Sequence, residues 1–328
     1  MAQFDSREKI LRLFRARNSD YLSGEELSQE LGISRTAVWK HIRALRALGY
    51  QIDAVTSKGY RLLSGPVALV ADEIRSRLST RVIGREILCH EQLASTNLTA
   101  MELGEAGAAE GLVVIAEQQT AGKGRLGRRW ESPAGVNLYL SILLRPAMPP
   151  WEVPRLTFLS AVAAARALQD VTGLKVEVKW PNDLLVNGKK IAGLLNEMSA
   201  ESDAVHHVVL GLGLNINMTA DQFPSELRYP ATSVWLEKGT LTSRLDVVVA
   251  LLEHFDRLYD EFLRCGMEPV RQAWQELFAM LGKAVRVESG PASLKGVVAG
   301  IDEEGALLLQ LPDGTIEKVL AGDVLPVE

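Results

Sequence analysis

The segment Gln118-Gln119-Thr120-Ala121-Gly122-Lys123-Gly124-Arg125-Leu126-Gly127-Arg128-Arg129-Trp130 interleaves three glycines with the cations Lys123, Arg125, Arg128 and Arg129. Four positive charges within seven residues repel one another until an anion arrives. Glycines let a backbone wrap such a ligand closely. Gly122 to Gly127 spells GxGxxG, but a dinucleotide-binding turn needs a helix to begin at the glycines. Here Arg128-Arg129-Trp130-Glu131-Ser132-Pro133 follows, and Pro133-Ala134-Gly135 stops any long helix. No HRD or DFG follows, which excludes a kinase glycine loop. No GxxxxGK[ST] occurs either, so there is no P-loop. What remains is a flexible basic loop suited to wrapping an anion.

Three further clusters carry reactive or hydrogen-bonding types. Lys179-Trp180-Pro181-Asn182-Asp183 stands before Lys189-Lys190-Ile191-Ala192-Gly193, with Asn187-Gly188 between them as a hairpin signal. Asn-Asp after Pro is also ordinary turn chemistry. Gly211-Leu212-Gly213-Leu214-Asn215-Ile216-Asn217 closes an apolar strand with two amides, which a β-bulge would also explain. Ser95-Thr96-Asn97 could cap a helix through Thr99–Leu103.

These clusters need a scaffold, and 328 residues suffice for two or three domains. Alternation predicts strands at 113–119, 137–145, 176–180, 183–186, 191–198 and 208–216. In the second, Leu138, Leu140, Ile142 and Leu144 oppose Tyr139, Ser141 and Arg145, which suits a sheet with one buried face. An Ala-rich helix from Arg155 to about Val171 would cover it. Hairpins with one long helix predict an α+β domain with a mixed or largely antiparallel sheet. The two cysteines, Cys89 and Cys265, form no CxxC pair, which disfavours a disulfide scaffold or a structural zinc. The N-terminus has no apolar signal region, and no run approaches the roughly 20 residues that span a bilayer. A reduced, cytoplasmic protein that makes no membrane contact is expected.

Charge is uneven. Residues 1–64 hold eleven Lys/Arg and seven Asp/Glu, a net of +4, within a chain of net charge −5. A basic head on an acidic body suggests that the head alone meets a polyanion. Ile10, Leu11, Leu13 and Phe14 give an apolar helix face. Ser23 with Glu26 forms a capping box, and Gly32 ends that second helix. Ser34 caps a third helix that runs to Leu48 and stops at Gly49. Helix, tight glycine turn, helix is helix-turn-helix spacing. Ser34, Arg35, Thr36, Lys40, His41 and Arg43 would then reach DNA bases and phosphates. Tyr50–Val55 and Tyr60–Leu63, around a turn with Lys58, resemble the wing of winged-helix DNA-binding domains. Ser64-Gly65-Pro66 reads as a linker, and Ala71–Leu78 as the first helix beyond it.

Five motifs in order, Ser95-Thr-Asn, Gln119 with Gly122-Lys-Gly-Arg-Leu-Gly-Arg128, Lys179-Trp-Pro-Asn-Asp, Lys190-Ile-Ala-Gly and Gly211-Leu-Gly-Leu-Asn-Ile-Asn, resemble biotin–protein ligases. With the winged helix in front, the chain is similar to the bifunctional kind that also represses the biotin operon. The resemblance implies a winged helix at 1–64, a catalytic domain at 65–280 and an SH3-like barrel at 281–328. It implies that biotin and ATP give biotinyl-5′-AMP, and that an acceptor lysine of biotin carboxyl carrier protein then takes the biotinyl group. Lys190, Arg125 and Asp183 would be catalytic. Ser95, Thr96, Asn97, Gln119, Lys123, Lys190 and Gly193 would hold biotin. Gly122, Gly124, Arg125, Gly127, Arg128, Trp130 and Asn215 would hold ATP and the adenylate. Asp183 would either hold Mg²⁺ near the phosphates or orient a lysine. Operator DNA and a second copy of the chain would be partners. The family usually has Arg at Lys123; Lys keeps the charge and loses the planar fork. Lipoate–protein ligases share the catalytic fold, and a ligand sensor without catalysis is the other rival.

Overall fold

A computed structural model describes residues 6–17, 20–47, 50–56, 58–64, 68–289 and 292–327. The expected helix end at Leu48-Gly49, most of the linker and the turn Gly290-Pro291 lie outside the described residues.

The head contains α1 (Ser6–Ala16), α2 (Gly24–Leu31), α3 (Arg35–Ala47), β1 (Gln51–Val55) and β2 (Gly59–Ser64). Its capping box forms as the sequence predicts. The Glu26 N–H donates to Ser23 Oγ at 3.1 Å, and the Ser23 N–H donates to Glu26 Oε2 at 2.8 Å. Gly32 ends α2 in the left-handed region at φ 64°. Ser34 Oγ accepts from the Ala37 N–H at 3.2 Å and opens α3. β1 and β2 pair antiparallel, and Leu22 bridges to Tyr60 to extend the wing. Gly59 permits this approach, because a Cβ there would lie 2.1 Å from the Leu22 carbonyl oxygen. Ile10, Leu11, Phe14, Leu27, Val38, Ile42 and Leu45 form a core of the head's own.

The body follows with α4 (Ala71–Arg77), β3 (Ile87–Leu93), α5 (Thr96–Glu105), β4 (Val113–Gln119), β5 (Leu138–Leu144) and α6 (Arg155–Thr172). Next come β6 (Glu177–Lys179), β7 (Asp183–Val186), β8 (Lys189–Ala200), β9 (Val205–Leu214), α7 (Val234–Lys238), α8 (Arg244–Cys265) and α9 (Glu268–Glu276). The seven strands pair in the order β3-β4-β5-β9-β8-β7-β6. β3 and β4 are parallel, with α5 as their crossover, and every other pair is antiparallel. The sheet is therefore mixed, and β3, α7, α8 and α9 add to the predicted elements.

One expectation is corrected. The alternation along β5 is real, but both of its faces are buried. Leu138, Leu140, Ile142 and Leu144 join the main core, which includes α6 and α8. Leu143 packs under α5 with Ala100, Leu112, Val114 and Val209. Tyr139 and Ser141 on that second face are buried too, and their hydroxyls find partners in the Pro133 carbonyl and in Thr96 and Asn97 at the start of α5, respectively.

The final strands, β10 (Ala284–Ser289), β11 (Ala292–Ile301), β12 (Leu307–Gln310), β13 (Ile316–Val319) and β14 (Asp323–Pro326), pair antiparallel in the order β13-β12-β11-β10-β14. The outer strands β13 and β14 do not pair, so among the described residues this is an open sheet and not a closed barrel. It docks on the body as its small size requires. Val285, Val287, Leu307, Leu309 and Val324 share the body's core, and the Trp180 indole N–H donates to the Gly305 carbonyl at 3.0 Å.

Head and body meet through charge, which no sequence motif signals. α1 lies on α4. Arg7 pairs with Asp72 at 3.1 Å, Arg75 with Glu8, and Arg15 with Glu73. Arg12 donates to the carbonyls of Arg75 and Leu78 at the end of α4, at 3.1 and 2.6 Å. Glu8, Asp72 and Glu73 are each only 3% exposed.

Candidate functional site

The basic segment is an ordered hairpin in this structure and not a loose loop. The Trp130 N–H donates to the Gly122 carbonyl at 2.9 Å, and the Gly124 N–H donates to the Arg128 carbonyl at 2.7 Å. Lys123 bridges Arg129 between them. The chain reverses at Leu126 and Gly127, both in the left-handed region at φ 56° and 71°. The left-handed backbone at Leu126 places a bulky residue where glycine is usual. No α-helix starts at the glycines, only the single 3-10 turn Arg125–Gly127, in keeping with the exclusion of a dinucleotide-binding turn.

This hairpin roofs a cavity of about 240 Å³. Every proposed ligase-site residue lines it except Gly122 and Gly127, which shape the hairpin itself. One end is neutral and buried. Gln119 Oε1 accepts from the Thr96 N–H at 2.9 Å and from Thr96 Oγ1 at 3.2 Å, while Gln119 Nε2 donates to Ser132 Oγ at 3.2 Å. Ser141 Oγ bonds Thr96 Oγ1 at 2.8 Å and donates to Asn97 Oδ1 at 2.6 Å. Asn97 donates to the Leu195 carbonyl at 3.1 Å and to Glu197 Oε2 at 2.7 Å. Ser95 is the N-cap of α5 by position, but its side chain makes no capping bond. The Ser-Thr-Asn run therefore serves the cavity more than the helix.

The other end is charged. Asn187 at φ 51° and Gly188 at φ 72° form the predicted hairpin between β7 and β8, which faces Lys190 toward Asp183. Lys190 Nζ lies 2.6 Å from Asp183 Oδ1, and Lys179 Nζ lies 3.6 Å from Oδ2. Both carboxylate oxygens thus face ammonium groups. Burial lowers the Lys179 pKa from the ordinary lysine value, despite the pull of Asp183, and the nearby charge of Lys190 lowers it further. The Lys179 ammonium also sits 4.5 Å from the centre of the Tyr229 ring. Arg125 donates to Asn182 Oδ1 at 3.2 Å, and burial lowers its pKa. No group of three or more His, Cys, Asp or Glu suited to a metal occurs among the described residues.

Trp130 forms the wall between the two ends. Its ring lies 5.3 Å from Lys190 Nζ, and its indole N–H is buried without a partner among the described residues. It seats against two glycines. A Cβ at Gly213 would lie 2.4 Å from the Trp130 ring, and one at Gly193 3.0 Å from it. Gly213→Ala is expected to push the indole off its seat. Overpacking costs of about 1–3 kcal/mol imply roughly ten- to hundredfold weaker binding of a ligand that fills the cavity. Titration calorimetry and a red shift in tryptophan emission would report it; unchanged binding would show that the seat is unimportant.

Sequence reasoning missed several residues that line the cavity or, like Ser132 and Ser141, bond its lining from behind. Ser132 and Ser141 carry no motif signal. Lys179 and Asn182 are visible inside their motif, which gives them no role. Asp323 comes from β14 and carries no local signal at all. Burial alone would raise its carboxyl pKa, but Arg128, Arg228 and Arg125 outweigh this and hold it below the usual carboxylate range. Arg128 pairs with it directly.

On the head, Ser34, Arg35, Thr36, Lys40, Arg43 and Lys58 are all exposed, and His41 is half-buried. Trp39, absent from the residues expected at DNA, is 50% exposed on α3, with the Arg43 guanidinium 5.7 Å from its ring.

Comparison with known proteins agrees with this geometry. Residues 6–61 match an HTH domain, 90–215 the biotin/lipoate A/B protein ligase family, and 280–325 the biotin protein ligase C-terminal domain. The bifunctional ligase/repressor BirA of Bacillus subtilis is 40% identical over 97% of this chain and 98% of its own length. The Escherichia coli protein of the same name is 32% identical over 94% of this chain and 93% of its own. A biotin–[acetyl-CoA-carboxylase] ligase of Paracoccus denitrificans is 35% identical and covers 67% of this chain. A solved biotin protein ligase from Aquifex aeolicus, in complex with biotin and ATP, superposes with a TM-score of 0.63 at 26% identity. It covers 73% of this chain and 97% of its own. Fold and site together define a ligase-type catalytic body behind a DNA-binding head. The chain belongs to the biotin–protein ligase family, among the bifunctional ligase/repressors.

Proposed function

We propose that this protein activates biotin with ATP, transfers it to a lysine of biotin carboxyl carrier protein, and represses biotin biosynthesis through operator DNA. The observation that carries the ligase reading is the division of one cavity into a neutral hydrogen-bonding end and a cationic end. Ser95, Thr96, Asn97 and Gln119 suit a ureido ring, while Arg125, Arg128 and Lys190 suit a carboxylate meeting a triphosphate. The carboxylate oxygen attacks the α-phosphorus, pyrophosphate leaves, and the fixed cations offset the repulsion between two anions. The acceptor amine then attacks the anhydride carbonyl, forming the amide and releasing AMP. The hairpin at 122–130 keeps water from the anhydride, with Gly122, Gly124 and Gly127 shaping it, Lys123 supplying a point charge and Trp130 a wall. Gly193 leaves room beside Lys190, and Asn215 holds the adenylate.

Asp183 orients lysines in this reading, since ammonium groups already face both its oxygens. An Mg²⁺ bound with ATP would then be held chiefly by the nucleotide, where it would offset phosphate charge. We assign 1–64 to the winged helix, 65–280 to the ligase domain and 281–328 to an SH3-like unit whose β14 reaches the cavity. Ser34, Arg35, Thr36, Lys40, Arg43 and Lys58 meet operator DNA. Two heads on a twofold axis would read two half-sites, so the repressor acts as a homodimer. The edge strand β3 and the distal half of β8, which has a strand on one side only, offer surfaces for that pairing. A cytoplasmic site of action is part of this reading; no helix among the described residues is long and apolar enough to cross a membrane.

Incubation with radiolabelled biotin, ATP and an acceptor carrier domain tests the ligase half, with labelled lipoate as the specificity control. ATP-dependent labelling by biotin is expected. Labelling by lipoate alone, or none, would overturn the reading.

A further inference from the structure

Arg35, Trp39 and Arg43 follow one another at intervals of four along α3, so they form one stripe with successive side chains a turn apart. Val38, Ile42 and Leu45 turn to the head's core, and Trp39 takes no part in it. Trp39 is 50% exposed, and the Arg43 guanidinium lies 5.7 Å from the centre of its ring. A ring of this size left in water is an unused store of apolar area, and such a patch with a polar rim marks a contact surface. Here the rim is cationic. Arg35, Lys40, Arg43 and Lys58 of the wing are exposed around it, and α3 contains no acidic residue. The carboxylate paired with Arg35 is that of Glu25 at 3.4 Å, with both side chains well exposed. Such a surface pair costs little to part. Arg46 donates to the Ile52 carbonyl of β1 at 3.1 and 2.6 Å, so helix and wing meet a partner as one surface.

We propose that Trp39 is a specificity-determining residue that packs on the C5 methyl of a thymine in each operator half-site, with Arg35 and Arg43 anchoring α3 on either side of it. This rests on the reading of the head as an operator binder. The charge of the rim calls for a polyanion, and the ring calls for an apolar spot on it. On the base edges of the major groove that spot is the thymine methyl. Trp39 stands one turn from the start of α3, in the part of a recognition helix that reaches base edges. Arginines on phosphate hold the helix in register without carrying sequence information; an apolar contact with a base carries it. The stripe therefore divides the work, with position set by its ends and selectivity by its middle.

The test begins with a duplex selected by the full-length protein from a randomised pool, with biotin and ATP present. Each thymine is then replaced singly by deoxyuridine, which removes the methyl and leaves the pairing intact. Affinity is read by anisotropy for wild type, Trp39→Ala and Trp39→Gln. Both variants should melt with wild type, because the core excludes the ring. At one thymine of a half-site the replacement should weaken wild-type binding roughly three- to fivefold, the worth of one buried methyl. The variants should bind the unmodified duplex roughly ten- to hundredfold less tightly and no longer respond at that position. A structural or purely electrostatic role would weaken selected and random duplexes by one factor and leave the response to deoxyuridine in place; that result overturns the proposal. So does a wild-type protein indifferent to deoxyuridine at every thymine. A selection that enriches no sequence overturns instead the operator reading on which the proposal rests.

Discussion

Lys190→Ala should slow adenylate formation by roughly a hundred- to a thousandfold, the usual cost of removing one preorganised group that stabilises transition-state charge. Its ammonium is 2.6 Å from Asp183 and beside the Trp130 ring, at the boundary between the neutral and cationic ends. On the proposed function, removing it withdraws the charge nearest to where carboxylate and α-phosphate would meet. It also leaves Asp183 with Lys179 alone, at 3.6 Å. The side chain is about a quarter exposed and stands at a strand start, so the fold should survive. Biotin-dependent exchange of pyrophosphate into ATP measures the step directly, beside a thermal melt. Exchange within threefold of wild type would remove Lys190 from the chemistry.

The double variant Arg35→Ala, Arg43→Ala should weaken operator binding by roughly a hundred- to ten-thousandfold, at about 1–3 kcal/mol for each good contact to DNA. Both residues lie exposed on α3, and the backbone of α3 is set by the Ser34 cap and by the buried Val38, Ile42 and Leu45. Neither arginine supports that core. Anisotropy of a labelled operator over a range of salt should show a shallower slope of log affinity, by about one for each phosphate no longer neutralised. Biotinylation should be unchanged. Wild-type operator affinity would move the DNA interface elsewhere on the head.

Local chemistry is legible in the sequence where it repeats at short range. The Ser23–Glu26 box, the Asn187-Gly188 turn and the alternation along β5 each specify a geometry within a few residues. The second burial of β5 is not legible, because Tyr139 and Ser141 look like solvent-facing residues until the fold places Pro133 and the start of α5 beside their hydroxyls. The 22-residue helix α8 escapes a reading led by motifs, although its apolar face is periodic. The cationic hairpin announces its charge but not its order, which comes from the bonds Gly122–Trp130 and Gly124–Arg128. Asp323 and Arg244 reach their partners from 195 and 127 residues away, respectively. No pattern along the chain encodes such contacts; only the packing of separate sheets and helices makes them.

The joint between α1 and α4 has a consequence for how such proteins are assembled from parts. The head closes its own apolar core, and that of the body is separate. What lies between them is arginine against carboxylate. Pulling them apart in water rehydrates charges and uncovers little oil, so neither half gains a sticky surface. A gene could therefore acquire or shed the head in one step without baring an apolar face on the ligase body, and the acids of α4 would simply be solvated in the shorter protein.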